Sequence, residues 1–347
     1  MLGKLNCCVV KAFVFLIAPA LIAGMVGCVY NPPRVRKLEI RTWYDLDAVR
    51  NNLAGNYILM NDLDSATLGY DELASPIANG GSGWQPIGHG NWVWTWFGAK
   101  VAGQIFRGTF DGQGHEIRDL YINRQEEEQV GLFGLVAKGE IIAKEAIIKN
   151  VSLINATVTA GEAGGEPLGL DEEAVRSLAV APDPWGLGGL VGYNGGIVSN
   201  CHATGNATSE SGMGGLVRHN GGTVSNCSFT GTITGDGWVG GLAGQNDGTI
   251  GNCYFVGNVT GNGDVGGLVG VNYDGTVSDS FWDTETSGQA TSDGGTGKNT
   301  PEMKSIVTFS GAGWNIIAVA NPGTRKPYYI WNIVGGVTYP FLGWQPV

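Results

Sequence analysis

Four times between residues 188 and 283 the chain repeats nearly the same string. It reads GGLVGYNGGIVSNCHATG from Gly188, GGLVRHNGGTVSNCSFTG from Gly214, GGLAGQNDGTIGNCYFVG from Gly240 and GGLVGVNYDGTVSDSFWD from Gly266, at an interval of 26 residues. A constant period of this length marks stacked supersecondary units, because one unit leaves its apolar side exposed until neighbours cover it. The apolar runs between the glycines are four to six residues long, rich in Val, Ile, Thr and Phe, and have no helical period. They are strands broken by glycine corners, and a helical solenoid is excluded. A coil of 26 residues divides into about three short strands and three turns, with coils stacking at ~4.8 Å. The prediction is an all-β fold, a right-handed parallel β-helix.

Overlaying the copies places Leu190, Leu216, Leu242 and Leu268 in one column, Asn194, Asn220, Asn246 and Asn272 in a second, and Cys201, Cys227 and Cys253 in a third. The last copy carries one extra residue, Tyr273, after which Asp274 aligns with Asp247, Ser280 with Cys253 and Trp282 with Phe255. That copy is degenerate and ends the run. Leu242→Ala, in a central copy, is therefore expected to cost about 2–5 kcal/mol and the same change at Leu268 less.

Composition enters where corners and charge matter. The 347 residues include 59 glycines, far above the ordinary share of about 7%. The net charge is -11, and positions 188 to 283 hold a single Arg (Arg218) and no Lys. No basic stripe exists to neutralise phosphates, which argues against nucleic acid and polyanionic sugars as partners of the repeat faces and leaves neutral glycans open.

The blocks resemble the GLUG motif, the glycine-rich repeat of bacterial surface proteins, some of them large extracellular peptidases and adhesins. The fit is close at GGLVG-x-N and at SNC, while Arg218 replaces the glycine kept at Gly192, Gly244 and Gly270. FRGTFDGQGHEIRDLYI from Phe106 and SFWDTETSGQATSDGGTGKNTPEMKS from Ser280 are similar to segments that flank such repeats. The resemblance implies a scaffold architecture and no particular activity.

In chain order, Lys4 and Lys11 precede an apolar run interrupted by Pro19, which reads as an export signal at 1–27. Met25, Val26, Gly27 and Cys28 resemble a bacterial lipobox, which would make Cys28 the lipid-attachment residue. An ordinary signal peptide with a chance cysteine is the alternative. No retention aspartate follows Cys28, so a lipid-anchored chain is expected in the outer membrane or at the cell surface. Residues 28–36, with Pro32 and Pro33, form a tether, and 37–125 hold an N-terminal cap and irregular first coils. There Thr42 and Asp45 start a capping-box helix through Leu53. An excursion concentrates Trp84, Trp92, Trp94, Trp96 and Phe97. Trp92, Trp94 and Trp96 alternate and share one strand face, which makes either a sugar-stacking platform or a face packed against the first coils. The repeat β-helix runs over 126–283, with a divergent fifth copy from Gly131 and a glycine- and acid-rich insertion at 161–185. Residues 284–347 are expected to form a C-terminal cap region.

The chemistry in these columns is sparse. Three cysteines stacked at ~4.8 Å lie inside the Cα range of a disulfide, but parallel side chains aim poorly for one, so a ladder of buried free thiols is preferred. The four Asn side chains suit an amide ladder bonding coil to coil. Asp236 and Asp264 fall two positions apart in the repeat frame and offer one carboxylate each, too few for calcium, and no metal or cofactor is expected. Asp111, His115, Glu116 and Asp119 form the one dense polar group, and because the string resembles a flanking segment of this scaffold it is read as a turn in preference to a catalytic group. The favoured reading is a non-enzymatic envelope lipoprotein for adhesion or binding of glycan or another surface protein. The alternatives are a carbohydrate-active enzyme on a parallel β-helix and a purely structural envelope component.

Overall fold

The glycine pair opening each repeat sits where no side chain fits. A Cβ on Gly214, Gly240 or Gly266 would lie 2.1, 1.9 or 1.8 Å from the carbonyl oxygen of Val217, Ala243 or Val269. On the second glycines, Gly215, Gly241 and Gly267, it would meet ring atoms of Phe229, Phe255 and Trp282 at 2.4, 2.4 and 2.2 Å. The pair therefore makes a tight corner and vacates space for an aromatic ring inside the coil. This extra corner splits off a two-residue strand, so a coil has four strands rather than about three.

The computed structural model describes residues 36–95, 98–125, 127, 129–137, 145–161 and 186–345. The coil from Met213 illustrates the order: Met213–Gly214 in sheet I, Val217–Asn220 in sheet II, Thr223–Ser225 in sheet III and Ser228–Gly235 in sheet IV. Among the described residues sheets I and II have five strands each, and III and IV have eight. Every pairing within them is parallel and joins equivalent positions, such as Asn194 with Asn220, Val198 with Val224 and Ala207 with Ile233. The architecture is a parallel β-helix. Residues Gln129 to Ala160 supply an earlier coil, since their strands pair with those that begin at Gly186, Val191, Ile197 and His202.

The core is the stack of inward columns. Leu190, Leu216, Leu242 and Leu268 are all fully buried, each stabilising the fold by roughly 1.5–3 kcal/mol. Leu268, in the last copy, is as fully buried as Leu242, and Gly295 from beyond the last coil lies over its side chain. Phe229 and Phe255 stack one coil apart, with centroids 6.2 Å apart and planes 6° from parallel.

At the N-terminal end, Thr42 Oγ1 accepts from the Asp45 amide (3.1 Å) and Asp45 Oδ2 accepts from the Thr42 amide (3.0 Å). The helix they start, Trp43–Asp47, tightens into a 3-10 turn, Ala48–Asn52, and so stops short of Leu53 as an α-helix. Trp43, Leu46 and Val49 are fully buried over the first strands.

Residues 284–347, expected to form one C-terminal cap region, divide in two. Residues 284–298 cross the open end: Thr296–Lys298 pairs with Phe281–Asp283 in sheet IV. Ser292 Oγ accepts from the amides of Leu268 and Val269 at 3.1 and 2.8 Å. These groups satisfy the last sheet II strand, whose donors would otherwise template another chain. Residues 299–345 instead lie along the outer flank of sheet IV. Trp314 Nε1 donates to Asp279 O (2.7 Å), Tyr254 OH donates to Pro340 O (2.5 Å), and Trp344 reaches back to Gly114. Tyr254, Phe281, Phe309, Trp314 and Trp331 share a second apolar core there.

Candidate functional site

Within the excursion between the first coils, strands His89–Thr95 and Gly98–Gln104 form an antiparallel hairpin beside a parallel solenoid. Its register sets Trp92 opposite Val101 and Trp94 opposite Ala99. Trp96, like Cys28 and insertion residues 162–185, lies outside the described residues. Trp84, from the same excursion, is a core residue: it is fully buried, its ring centroid lies 5.8 Å from that of Trp43, and the Arg50 guanidinium sits 4.7 Å above it.

The asparagine column is a continuous amide chain. Asn194 Nδ2 donates to Asn220 Oδ1 (2.8 Å), Asn220 to Asn246 (2.8 Å) and Asn246 to Asn272 (2.7 Å). Asn194, Asn220 and Asn246 are fully buried, where an amide left without partners would cost about 1–3 kcal/mol. The sulfurs of Cys201, Cys227 and Cys253 are free thiols that donate to Ser199 O, Ser225 O and Gly251 O at 3.2, 3.1 and 3.2 Å. Burial pushes the Cys227 thiol well above its ordinary pKa, so it is held neutral. Ser280 takes the fourth position and donates to Ser278 O at 2.7 Å.

A second asparagine column was missed by sequence reasoning. Asn150, Asn200, Asn226 and Asn252 adopt φ between 52 and 54°, with Asp279 at 47°, at the corner between sheets III and IV. Asn and Asp are the non-glycine residues that best tolerate this left-handed turn. The signal was the Asn one residue before the cysteine column, in SNC at Asn200 and Asn226 and in GNC at Asn252.

Two polar clusters break the repeat. On sheet II, Tyr193, His219 and Gln245 stack in register. His219 contacts Asp247 Oδ2 at 2.6 Å, Gln245 Nε2 donates to the same oxygen at 3.0 Å, and the Tyr193 ring stands edge-on to His219 at 4.9 Å. Burial pushes the Asp247 carboxyl up, but the His219 bond and charge, the Gln245 amide and the Arg218 charge outweigh it and hold it below the carboxylate range. Arg218, the departure from the repeat glycine, is buried.

The other cluster is a column on the outer side of sheet IV: Ser152, His202, Ser228, Tyr254 and Phe281 are register partners, all buried, Tyr254 and Phe281 against the C-terminal segment. His202 Nδ1 and Ser228 Oγ lie 2.8 Å apart, and burial pushes the His202 pKa down to about 4. Nearby, the buried Asp283 carboxylate accepts from the amides of Glu285 (2.9 Å) and Thr286 (3.2 Å), from Thr300 Oγ1 (2.7 Å) and from Tyr339 OH (2.8 Å). Burial, then the hydrogen bond and charge of Asp283, push Tyr339 up to about 12. This carboxylate ties the last coil to the flanking segment.

The polar group at 111–119 is spread over local contacts. His115 Nδ1 lies 3.1 Å from Asp62 Oδ1, Glu116 pairs with Arg118, and Asn155 Nδ2 donates to Asp119 Oδ1 at 2.7 Å. Burial raises the Glu116 carboxyl above its ordinary range. Among the described residues no three His, Cys, Asp or Glu side chains are grouped to hold a metal ion.

Comparison with known proteins agrees with the repeat architecture. The family model described as the GLUG motif matches residues 183–208 and 238–260. Halomucin of Haloquadratum walsbyi is 32% identical over 161 residues, which are 44% of this chain and 2% of that protein. A protein of Evansella cellulosilytica, provisionally described as a Gly-rich membrane protein, is 30% identical over 180 residues, 51% of this chain and 15% of its own length. The chain thus spans a small fraction of the curated relatives it matches. A crystal structure from Bacteroides ovatus, provisionally described as an immunoglobulin A1 protease, aligns over 89% of this chain and 92% of its own at 20% identity, with a TM-score of 0.49. That likeness is too loose to bear on activity. Two segments of this solenoid, residues 183–208 and 238–260, carry the GLUG motif.

Proposed function

We infer that the chain is a non-enzymatic scaffold of the cell envelope, a rigid β-helix that presents a glycan-binding hairpin outside its coils. The observation that supports this reading is the antiparallel pair His89–Thr95 and Gly98–Gln104, an excursion from the parallel coils whose register pairs Trp92 with Val101 and Trp94 with Ala99. Flat aromatic faces suit sugar rings because apolar C–H surface stacks on them while hydroxyls stay wet. The envelope setting is supported by the export signal and lipobox-like run ending at Cys28, and by the word membrane in the description of one relative.

The test is a glycan array probed with the full-length chain in detergent, beside a reducing-sugar assay. Binding without sugar release, abolished by replacing Trp92, Trp94 and Trp96 together with Ala, supports the reading. Release of reducing ends would make the protein an enzyme, and a silent array would leave a structural component. For the anchor, Cys28→Ser should move the protein out of the membrane fraction and abolish labelling by a palmitate analogue. Unchanged fractionation of that variant refutes the lipid anchor.

A further inference from the structure

The C-terminal segment does more than cover sheet IV. Its Trp344 comes back along the flank to the first coils and stands over Gly114, where a Cβ would lie 3.2 Å from the indole. Gly114 has φ +86°, so a residue with a side chain would be strained there as well as crowded against the ring. Around the ring is an open depression of about 350 Å³ lined by Asp111, Gln113, Gly114, Asn150 and Trp344.

The polar rim is held in place before any ligand arrives. Asp111 Oδ1 accepts from the Gln113 amide (3.1 Å) and from Asn150 Nδ2 (3.0 Å). Asn150 Oδ1 accepts from Asn200 Nδ2 (3.2 Å), and Gln113 Nε2 donates to Leu59 O (3.0 Å). Gln113 and Asn150 both adopt left-handed φ, 52 and 53°. Asp111 Oδ2 is left beside Lys149 Nζ at 3.4 Å, a separation at which the pair is loose and both groups retain hydrogen-bonding capacity.

We propose that this depression is a binding site for a neutral hexopyranose, stacked on Trp344 and hydrogen-bonded through its hydroxyls to Asp111, Lys149 and Gln113. A half-buried indole supplies an apolar face, and a carboxylate and an ammonium side by side supply an acceptor and a donor at the spacing of a vicinal diol. Their charges cancel, which disfavours acidic and amino sugars alike. The volume lies near the small end of the ~300–1,000 Å³ range of small-molecule sites, which suits a mono- or disaccharide. The site is separate from the Trp92 hairpin and stands without it.

Isothermal titration of the full-length chain, in a detergent without a sugar headgroup, with methyl glucoside, galactoside and mannoside tests the proposal. It is run in the background of the Trp92, Trp94 and Trp96 triple alanine variant, so that failure of the hairpin reading cannot mask the result. At least one glycoside should bind in the millimolar range, Trp344→Ala should weaken it at least tenfold, and Asp111→Asn three- to tenfold. Asp111→Asn keeps an oxygen for the Gln113 and Asn150 donors, so its melting temperature should match that of the parent and separates loss of binding from loss of fold. Glucuronide and glucosamine glycosides should bind more weakly than the best neutral sugar. The proposal is overturned if no neutral glycoside binds, if binding survives both substitutions, or if the charged sugars bind best.

Discussion

The strand Ser228–Gly235 lives in two environments. In its first half, Ser228 points outward yet is fully buried, between His202 and Tyr254, the latter packed against the C-terminal segment; in its second half, Thr232 and Thr234 point outward into water. The same division holds one coil to either side, with His202 against Asn206 and Thr208, and Tyr254 against Asn258 and Thr260. The boundary is a glycine column, Gly205, Gly231 and Gly257, at φ 151, 158 and 134°. Backbone pairing is continuous across it. The contrast teaches that the inner side of the sheet is governed by the repeat, whereas the chemistry of the outer side depends on what covers it.

Breaking the boundary should have the largest effect. A Cβ on Gly231 would sit 1.8 Å from Gly205 O, so Gly231→Ala must push two coils apart and should cost more than about 4 kcal/mol. Urea denaturation reads it, and a loss below about 1 kcal/mol would refute the close stacking. Next, removing the cover from the first half: Trp331 is fully buried beside Tyr254, with centroids 5.7 Å apart, and Trp331→Ala should cost about 3–5 kcal/mol. Limited proteolysis should then cut within 299–345 before the coils.

The covered half should also be sensitive to acid. His202 is held neutral, with its pKa pushed from 6.5 down to about 4 by burial, so the folded state binds fewer protons than the unfolded one between those values. Its contribution is full above pH ~6.5 and is lost as pH falls towards 4, by about 3 kcal/mol in all. Urea midpoints measured across that window should show the fall, and His202→Gln should flatten it. Equal slopes in the two proteins would mean that other groups carry the acid response. A smaller loss, about 1–2 kcal/mol, is expected for Tyr254→Phe, which leaves Pro340 O without its donor. The smallest effect belongs to the open half. Thr234 is exposed and its Oγ1 lies 3.1 Å from that of Thr260, and Thr234→Ala should stay within about 0.5 kcal/mol. A loss matching that of Tyr254→Phe would erase the distinction between the halves.

Much of this was legible in the repeat. Period, strand composition and glycine spacing led to a parallel β-helix, and the in-register Leu, Asn and Cys columns follow from any stacking that places like over like. The four-strand coil was not legible, because the glycine pair reads as one corner until the facing Phe229 and Phe255 rings reveal how tightly the chain turns there. Arg218, His219 and Asp247 were visible only as departures from the repeat. Their grouping depends on residues two positions apart in the repeat frame, His219 and Asp247, meeting across a turn.

The repeat alone determined the inside of the molecule, since a 26-residue period lets a residue's neighbours above and below be read by counting. The outside was decided by tertiary structure. Residues 299–345 have no period and no frame, so nothing in their order says that they lie along sheet IV rather than across its end. Where they lie follows from the outward Tyr254 and Phe281, which offer the apolar surface on which Phe309, Trp314 and Trp331 are buried. That placement brings Trp344 to Gly114, 230 positions earlier in the chain, a juxtaposition fixed by the side chains each surface presents and by no local pattern in either stretch.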